Sequence, residues 1–194
     1  MPPTNPARRR ALTDAAIRLL AESGVHGLTH RAVEQAADLP QGTASNYFRT
    51  REALLLAVAE RVSELHLADM AEATRHAAPA ADLGQVADLL AESLLGAATT
   101  LRTRYLAIFE LQLEAVRRPA MAAALAGLQD AALNFTAGVH AEHALPIPRE
   151  KVATLVALYA GALFTLVTAP PATVTKEGAR ELAHAIVHGT LSGA

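Results

Sequence analysis

Apolar residues recur along most of this chain at intervals of three and four, which is the spacing of an amphipathic helix. The first such stripe predicts a helix from about Ala7 to Ser23, ended by Gly24. Its members are Leu12, Ala15, Ala16, Leu19 and Leu20. A half-buried strand would need sustained alternation of apolar and polar residues, and no segment shows it. The pattern therefore predicts an all-α fold.

Three more helices are predicted close behind the first. The second begins after its expected N-cap, Thr29, the third runs from about Pro40 to Tyr47, and the fourth follows its cap, Thr50. The fourth carries a long apolar stripe and is expected to continue to about Arg75. Only a tight turn at Asp38 separates the second helix from the third.

Five further helices are predicted in the rest of the chain, separated by prolines and glycines. Their approximate ranges are 82–96, 101–117, 119–139, 149–168 and 176–190. Asp82 and Gln85 have capping-box spacing at the start of the first of these. The third carries an apolar stripe of Met121, Leu125, Leu128, Ala132, Phe135 and Val139. The expected architecture is thus about nine helices in two domains. Residues 1–50 form a three-helix, helix-turn-helix DNA-binding domain, and residues 51–194 form a helical ligand-binding and dimerisation domain.

Composition and charge narrow the classes of function. There is no cysteine among the 194 residues, which excludes disulfides, thiolate zinc sites and cysteine nucleophiles. The basic N-terminus is not followed by an apolar signal segment, so a cytoplasmic protein is expected. Residues 1–61 hold eight arginines and six acids, a net charge of +2, and the remainder carries −4. A more basic first part suits contact with a polyanion.

The second and third helices, joined by a tight turn, have the arrangement of a helix-turn-helix. The third would lie in the major groove, where amide, hydroxyl and small side chains read base edges and Gly42 permits close approach. These candidates are Gln41, Gly42, Thr43, Ser45 and Asn46. Candidates for phosphate contacts, which position the protein without reading sequence, are Thr29, Arg31, Tyr47 and Arg51. Arg8, Arg9 and Arg10 are expected to form an arm reaching the backbone or minor groove.

The run from Leu39 to Leu54, LPQGTASNYFRTREAL, resembles the signature of TetR-family regulators. In that family a short recognition helix carrying Gly-Thr ends in an aromatic pair, and a turn with a basic residue opens the fourth helix. The resemblance covers about residues 8–60. Three positions depart from the pattern: Asp38 replaces a glycine of the turn, Pro40 replaces a capping Ser or Thr, and Ser45 replaces a frequent aromatic residue.

The resemblance implies a transcriptional regulator, by default a repressor, that binds a roughly palindromic double-stranded DNA operator as a homodimer. It also implies a small-molecule cavity in helices four to seven, whose occupation releases the protein from DNA. The effector is expected to be largely apolar, and no cofactor is expected. Candidate pocket residues, chosen as aromatic or polar groups on apolar helices, are Tyr105, Phe109, Gln112, Asn134 and Tyr159.

The eighth predicted helix lies in a run of 24 residues, 152–175, without a charge. Such a helix in a soluble protein needs burial on two sides. One face suits the subunit core, with Val152, Leu155, Val156, Tyr159, Leu163 and Val167. The other, with the ninth helix, suits a four-helix dimer interface, as the resemblance also implies. The expected interface residues are Ala153, Ala157, Gly161, Thr165, Leu182 and Ile186. A membrane span is disfavoured because Pro170 leaves at most about 18 residues, near the lower limit for crossing a bilayer.

Two rival classes remain open from the sequence. An enzyme or metalloprotein would have to use the histidine pairs 184/188 and 140/143, and neither has a third ligand placed beside it. The common nucleophile, phosphate-loop and dinucleotide motifs are missing, so no enzyme and no metal site are predicted. The other rival is an all-α interaction protein that keeps the fold without specific DNA binding. The absence of lysine from residues 1–61 leaves room for it.

Overall fold

The computed structural model describes residues 5–76, 82–128, 130 and 147–191, with the side chains of residues 73–76 excepted. Every regular element in these ranges is helical, so the predicted all-α fold is confirmed. The first four helices are α1 (Pro6–Gly27), α2 (His30–Ala36), α3 (Thr43–Tyr47) and α4 (Arg51–His76). The others are α5 (Leu83–Ala98), α6 (Arg102–Ala115), α7 (Pro119–Leu128), α8 (Val152–Thr168) and α9 (Lys176–Leu191).

Three helix starts follow the predicted capping chemistry. The side-chain oxygens of Thr29, Thr50 and Asp82 accept hydrogen bonds from the amide three residues onward, at 3.1, 3.0 and 2.8 Å. Each bond satisfies an N–H that a helix N-terminus otherwise leaves unpaired. Local sequence therefore determines where α2, α4 and α5 begin.

Helix α1 is interrupted where the sequence predicted its end. Gly24 has a positive φ of 62° and an extended ψ of −175°, a conformation that strains residues with a Cβ. Helical bonding then resumes for a short turn that ends at Gly27. The basic residues Arg8, Arg9 and Arg10 lie in the first turns of α1, behind its N-cap Asn5. From residue 5 onward the expected arm is therefore helix.

Helix α3 is shorter than predicted, since it begins at Thr43 rather than near Pro40. Gly42 has a φ of 88°, in the left-handed region, so a right-handed helix cannot pass through it. The turn before it contains Asp38 with a φ of 52°. Asp tolerates positive φ better than most residues, which is why the turn forms without the glycine common in related sequences.

The first compact unit comprises residues 5–68 and 103–128. Its core combines the apolar stripes of α1 and α4, including Leu12, Leu20, Leu55 and Val62, with residues from α6 and α7. Leu111 of α6 is fully buried there, and Met121, Leu125 and Leu128 confirm the first half of the predicted stripe on α7. The second half of that stripe lies outside the described residues.

The second compact unit includes residues 69–76, 82–102, 130 and 147–191. Within it, α5, α8 and α9 pack against one another. The face of α8 that was assigned to the subunit core is buried or half-buried: Val152, Leu155, Val156, Tyr159, Leu163 and Val167. The apolar faces read from the sequence therefore assemble as a three-helix core.

These units do not divide the chain at residue 50, because α6, α7 and the first half of α4 share the core of α1. The predicted domains, 1–50 and 51–194, separate DNA reading from sensing and dimerisation. That functional division stays a prediction.

One segment in the described part of the chain, Arg149–Thr168, is long and apolar enough to span a membrane by length and composition, with a mean hydropathy of 1.7. A third of that segment is buried inside the protein, where α8 packs on α5 and α9. The core helix of a folded domain meets the same criteria, so this feature does not by itself indicate a membrane protein.

Candidate nucleic-acid interface

Helices α2 and α3 form a helix-turn-helix whose inner face is fixed in the core. Val33 and Ala44 are fully buried, and Phe48 at the end of α3 is nearly so. On the opposite side of α3, Ser45 and Asn46 are exposed, as is Gln41 just before the helix. The structure therefore brings three of the predicted base-reading side chains together on one exposed face.

Two other predicted contact residues shape the start of α3. Gly42 is its N-cap and holds the left-handed conformation that the turn requires. The Thr43 hydroxyl donates a hydrogen bond of 2.6 Å to the Pro40 carbonyl oxygen. The donor of Thr43 is thus used within the turn, while its oxygen can still accept.

The predicted phosphate contacts fall into two groups. Thr29 and Arg31 are exposed at the start of α2, as a backbone contact requires. Tyr47 is half-buried, and its hydroxyl donates to the Asn5 carbonyl oxygen at 3.3 Å. Arg49, an exposed cation in the connection between α3 and α4, was missed by the sequence reasoning, although it directly follows the aromatic pair.

Arg51 is placed differently from a free phosphate contact. Its Nε donates to the Leu28 carbonyl oxygen at 3.0 Å, and its Nη2 donates to the Val25 carbonyl oxygen. A guanidinium has five N–H donors in a fixed fork, and here that fork binds the connection between α1 and α2. Arg51 therefore joins α4 to the end of α1.

A carboxylate reaches the same connection from α6. Glu110 Oε2 accepts a hydrogen bond of 3.3 Å from the Val25 amide. A Cβ on Gly24 would lie 3.3 Å from that oxygen, so the glycine also makes room for the carboxylate. Val25 is thereby bonded twice: its N–H donates to Glu110 of α6, and its carbonyl oxygen accepts from Arg51 of α4.

Sequence reasoning also missed two residues of α2 that contact α3. Glu34, only 4% exposed, accepts a hydrogen bond of 2.7 Å from the Ala44 amide. His30 Nε2 lies 2.6 Å from the Phe48 carbonyl oxygen. Their separation of four residues was visible in the sequence, but nothing local indicated that they face the next helix.

Ion pairs fix α1 against α4 beneath this interface. Arg61 donates to Asp14 at 2.8 Å, and this hydrogen bond raises the pKa of the guanidinium against the opposing effect of burial. Arg9 approaches Glu60 at 3.3 Å and lies 5.6 Å from the centre of the Phe48 ring. Arg9 thus has partners within the protein, although all three arginines, Arg8, Arg9 and Arg10, are exposed.

Both parts of the chain match known family models. Residues 12–58 match the model of bacterial regulatory proteins of the tetR family, and residues 81–193 match the tetracyclin repressor-like C-terminal domain. The chain belongs to the TetR family. It is a helix-turn-helix transcriptional regulator with a tetracyclin repressor-like C-terminal domain, as the sequence resemblance predicted.

Curated relatives of this TetR-family chain match only in part. The BetI regulator of Burkholderia thailandensis is 40% identical over 76 residues, which are 39% of this chain and 37% of BetI. An HTH-type regulator of Xanthobacter autotrophicus is 36% identical over 66 residues, 34% of this chain and 33% of that protein. The chain therefore aligns with only about a third of the length of these relatives.

Solved TetR-like structures match over almost the full length. A TetR-family member from Streptomyces coelicolor A3 is 30% identical, with 93% of this chain and 98% of that chain covered and a TM-score of 0.66. The multidrug-binding protein EbrR in complex with malachite green is also 30% identical, with the same coverage and a TM-score of 0.63. A regulator from Rhodococcus sp. Rha1, at 18% identity and a TM-score of 0.76, covers 96% of this chain and 97% of that chain, and it supports the fold alone.

The predicted pocket residues fall in separate compact units of this TetR-family protein. Tyr105 and Phe109 pack against the core of the first unit, where Tyr105 meets the His66 ring edge-on with centroids 5.5 Å apart. Gln112, on the same helix, is half-buried. In the second unit the Tyr159 hydroxyl lies 2.7 Å from the Ser93 hydroxyl, and burial raises the pKa of Tyr159. Asn134 lies outside the described residues.

Four of the predicted interface residues share one exposed face of α8: Ala153, Ala157, Gly161 and Thr165. The large apolar side chains Leu158 and Phe164, which are 41% and 51% exposed, belong to the same helix. On α9, Leu182 is half-buried, and Ile186, only 5% exposed, belongs to the core of its own subunit. Periodicity identified a stripe on α9 but not which neighbour that stripe meets.

The histidine pair on α9 forms a ring stack, with the centroids of His184 and His188 6.3 Å apart. Among the residues that the structure describes, no group of three or more His, Cys, Asp or Glu side chains is placed to hold a metal ion. The other pair, His140 and His143, lies outside the described residues.

Proposed function

We propose that this TetR-family regulator is a cytoplasmic, homodimeric repressor that reads a roughly palindromic operator and is released by a small, largely apolar effector. Gln41, Gly42, Thr43, Ser45 and Asn46 contact base edges, and Thr29, Arg31 and Tyr47 contact phosphates. Arg51 serves the interface indirectly, through its bonds to the carbonyl groups of Val25 and Leu28. The chain performs no catalysis.

The observation that carries this proposal is the division of α3 into two faces. Ala44 and Phe48 fix the helix to the core, and Ser45 and Asn46 are exposed on the other side. Amide side chains bond bidentately to adenine, and hydroxyls bond either partner of a base pair. An exposed helix with these groups is suited to the major groove, which is wide enough to admit it.

The dimer is supported by the uncharged exposed face of α8. Ala157 and Gly161 are small residues one turn apart, which allows a second helix to approach closely, and Leu158 and Phe164 provide apolar area beside them. Contiguous exposed apolar surface on a folded protein marks an interaction site. A second copy related by a two-fold axis would present the same face.

The effector is proposed to bind among helices of the C-terminal part of the chain. Tyr105, Phe109, Gln112, Asn134 and Tyr159 remain the candidate contacts, since aromatic walls with a few polar groups suit a largely apolar ligand. EbrR, with which this chain shares 30% identity, has been solved with proflavin and with malachite green. These two dyes are therefore suitable first probes.

The test is fluorescence anisotropy of the purified protein with labelled DNA from just upstream of its own gene, at two salt concentrations. A random duplex of equal length is the control, because phosphate contacts alone bind any sequence. The double change Ser45→Ala with Asn46→Ala should reduce preference for the upstream duplex by about 10-fold or more, since each good base contact contributes about 1–3 kcal/mol. The change Glu22→Ala, at an exposed position on α1, is the matched control.

Tight binding that favours the upstream duplex and is lost in the double variant would support a sequence-specific regulator. Equal, weak and strongly salt-dependent binding of both duplexes calls for selection from a random duplex library, because the operator can lie elsewhere. If that selection enriches no sequence, the rival interpretation holds, in which the protein keeps the fold as an interaction module without reading DNA.

A further inference from the structure

The recognition helix α3 lacks a side-chain cap of its own. It has five residues, and its N-cap is Gly42, which has no side chain to accept a hydrogen bond. Glu34 of α2 supplies the missing acceptor across the turn: its Oε1 accepts from the Ala44 amide at 2.7 Å. The carboxylate is almost fully buried and lies at the positive end of α3, where a negative charge is favourable.

The other end of α3 is bonded to the same helix. His30 Nε2 lies 2.6 Å from the carbonyl oxygen of Phe48, the residue that ends α3. A carbonyl oxygen only accepts, so Nε2 carries the proton and donates it. His30 and Glu34 are four residues apart and therefore share one face of α2.

A five-residue helix is far below the length at which a helix is stable by itself. Its orientation must come from tertiary contacts, and the buried side chains Ala44 and Phe48 alone allow rotation and tilt. Two hydrogen bonds to opposite ends of α3, both from one face of α2, restrict that freedom, and the Tyr47 hydroxyl adds a third bond to the Asn5 carbonyl oxygen.

We propose that Glu34 and His30 are positioning residues for sequence reading, acting through α3 without contacting DNA. This inference rests on the proposed function, because it assumes that α3 reads bases. It makes sequence discrimination depend on two side chains behind the recognition helix. Base contacts require bidentate geometry, whereas phosphate contacts tolerate a small displacement of the helix. A shift of α3 should therefore reduce the preference for one DNA sequence more than the affinity for DNA in general.

The experiment measures the ratio of affinities for two duplexes, one enriched by the wild-type protein from a random library and one of random sequence. The active fraction of each variant is first determined by stoichiometric titration. Glu34→Ala should lower the ratio about 10-fold, the size of one lost base contact, with unchanged affinity and salt dependence for the random duplex. Glu34→Gln should retain most of the ratio, because its amide oxygen can still accept from Ala44.

Two variants of His30, one that keeps an N–H donor and one that lacks it, test the inference independently. Gln places an amide N–H near the position of Nε2, so His30→Gln should retain discrimination while His30→Leu loses it. Glu22→Ala removes an exposed carboxylate from α1 and should leave the ratio unchanged. If Glu34→Ala does not fold, the comparison of Glu34→Gln with the two His30 variants decides the question.

A wild-type ratio in both Glu34→Ala and His30→Leu would overturn the inference. It would equally fail if Glu34→Gln lost as much as Glu34→Ala, or if both duplexes were weakened in proportion, since either result indicates only a general loss of structure. Failure of the proposed function is distinguishable, because then the wild-type protein itself would enrich no duplex. In that case this inference would fall with it.

Discussion

The Glu110 carboxylate accepts a hydrogen bond from the Val25 amide, 3.3 Å away, and so joins α6 to the last turn of α1. Glu110 lies in the region that matches the C-terminal family model, and Val25 lies in the region that matches the DNA-binding model. One hydrogen bond therefore links the two regions of the chain that the family models match.

We expect Glu110→Ala to lower the free energy of unfolding by about 1–3 kcal/mol, because a part-buried N–H loses its charged acceptor. Urea denaturation measures this loss, and operator affinity should fall with it. Leu113→Ala is the control, since Leu113 is on the same helix and 59% exposed. An unfolding free energy equal to that of the wild type would show that the contact does not hold the connection.

Arg51 and Arg31 should respond differently to truncation. Arg31→Ala should reduce the salt dependence of DNA binding by about one phosphate contact, a change of roughly 0.9 in the slope. Arg51→Ala should leave the slope unchanged and instead reduce stability, because its guanidinium bonds the Val25 and Leu28 carbonyls. Anisotropy across a salt series, together with urea denaturation of both variants, separates the two roles. If Arg51→Ala also reduced the salt dependence of DNA binding, Arg51 would be a phosphate contact after all.

The helices of this protein were predictable because periodicity and capping are local. Thr29, Thr50 and Asp82 cap the helices that they were expected to cap, and Asp38 takes the positive φ that the turn needed. The start of α3 was placed too early because Gly42 interrupts the helix after Pro40. A glycine two residues after the proline was a signal in the sequence that would have corrected it, because glycine adopts positive φ readily.

The contacts between elements could not be predicted in the same way. Glu34 supplies the acceptor that the Gly42 cap lacks, and the guanidinium of Arg51 donates back to the end of α1. These groups are separated in the sequence and meet only in the folded chain. Spacing on one helix reports which residues share a face, but not what that face meets. Ile186 shows the same limit, since its stripe is buried in its own subunit.

A charge on the exposed face of α8 should prevent dimerisation. Ala157→Asp introduces an ion where we propose that two copies pack, and an unpaired buried charge is strongly unfavourable. Sedimentation velocity at micromolar concentration should then show a monomer, with the wild type as a dimer. Leu113→Asp, an exposed apolar position in the first unit, is the matched control and should remain dimeric. A dimeric Ala157→Asp variant would place the interface elsewhere.

The Tyr159 hydroxyl should ionise at a higher pH than an ordinary tyrosine. Burial raises its pKa, and the hydrogen bond with Ser93 partly offsets that effect. The difference between alkaline absorbance titrations of the wild type and Tyr159→Phe should therefore have a midpoint above about 10, the ordinary tyrosine value. Ser93→Ala should move the midpoint higher. Because the folded-state pKa is raised, stability should decline as the pH rises above about 10, and a midpoint at or below that value would contradict the assignment.

Glu114 should give the first compact unit a pH-dependent contribution at the end of α6. It lies 2.9 Å from Arg117 and 2.8 Å from Arg118, and its pKa is lowered chiefly by the hydrogen bond with Arg117, against the opposing effect of burial. A lowered folded-state pKa means that the stabilisation is complete above the unfolded value of about 4.3 and is lost as the pH falls through the folded value.

Glu114→Gln should accordingly lower the free energy of unfolding by about 0.5–1 kcal/mol at pH 7, the range of partly exposed ion pairs. The difference between variant and wild type should shrink as the pH drops below about 4.3, because the wild-type carboxyl then becomes neutral as well. Urea denaturation across that pH range measures it, with Glu92→Gln at an exposed position of α5 as the control. A difference that stayed constant with pH would mean that Glu114 contributes through packing and not through its charge.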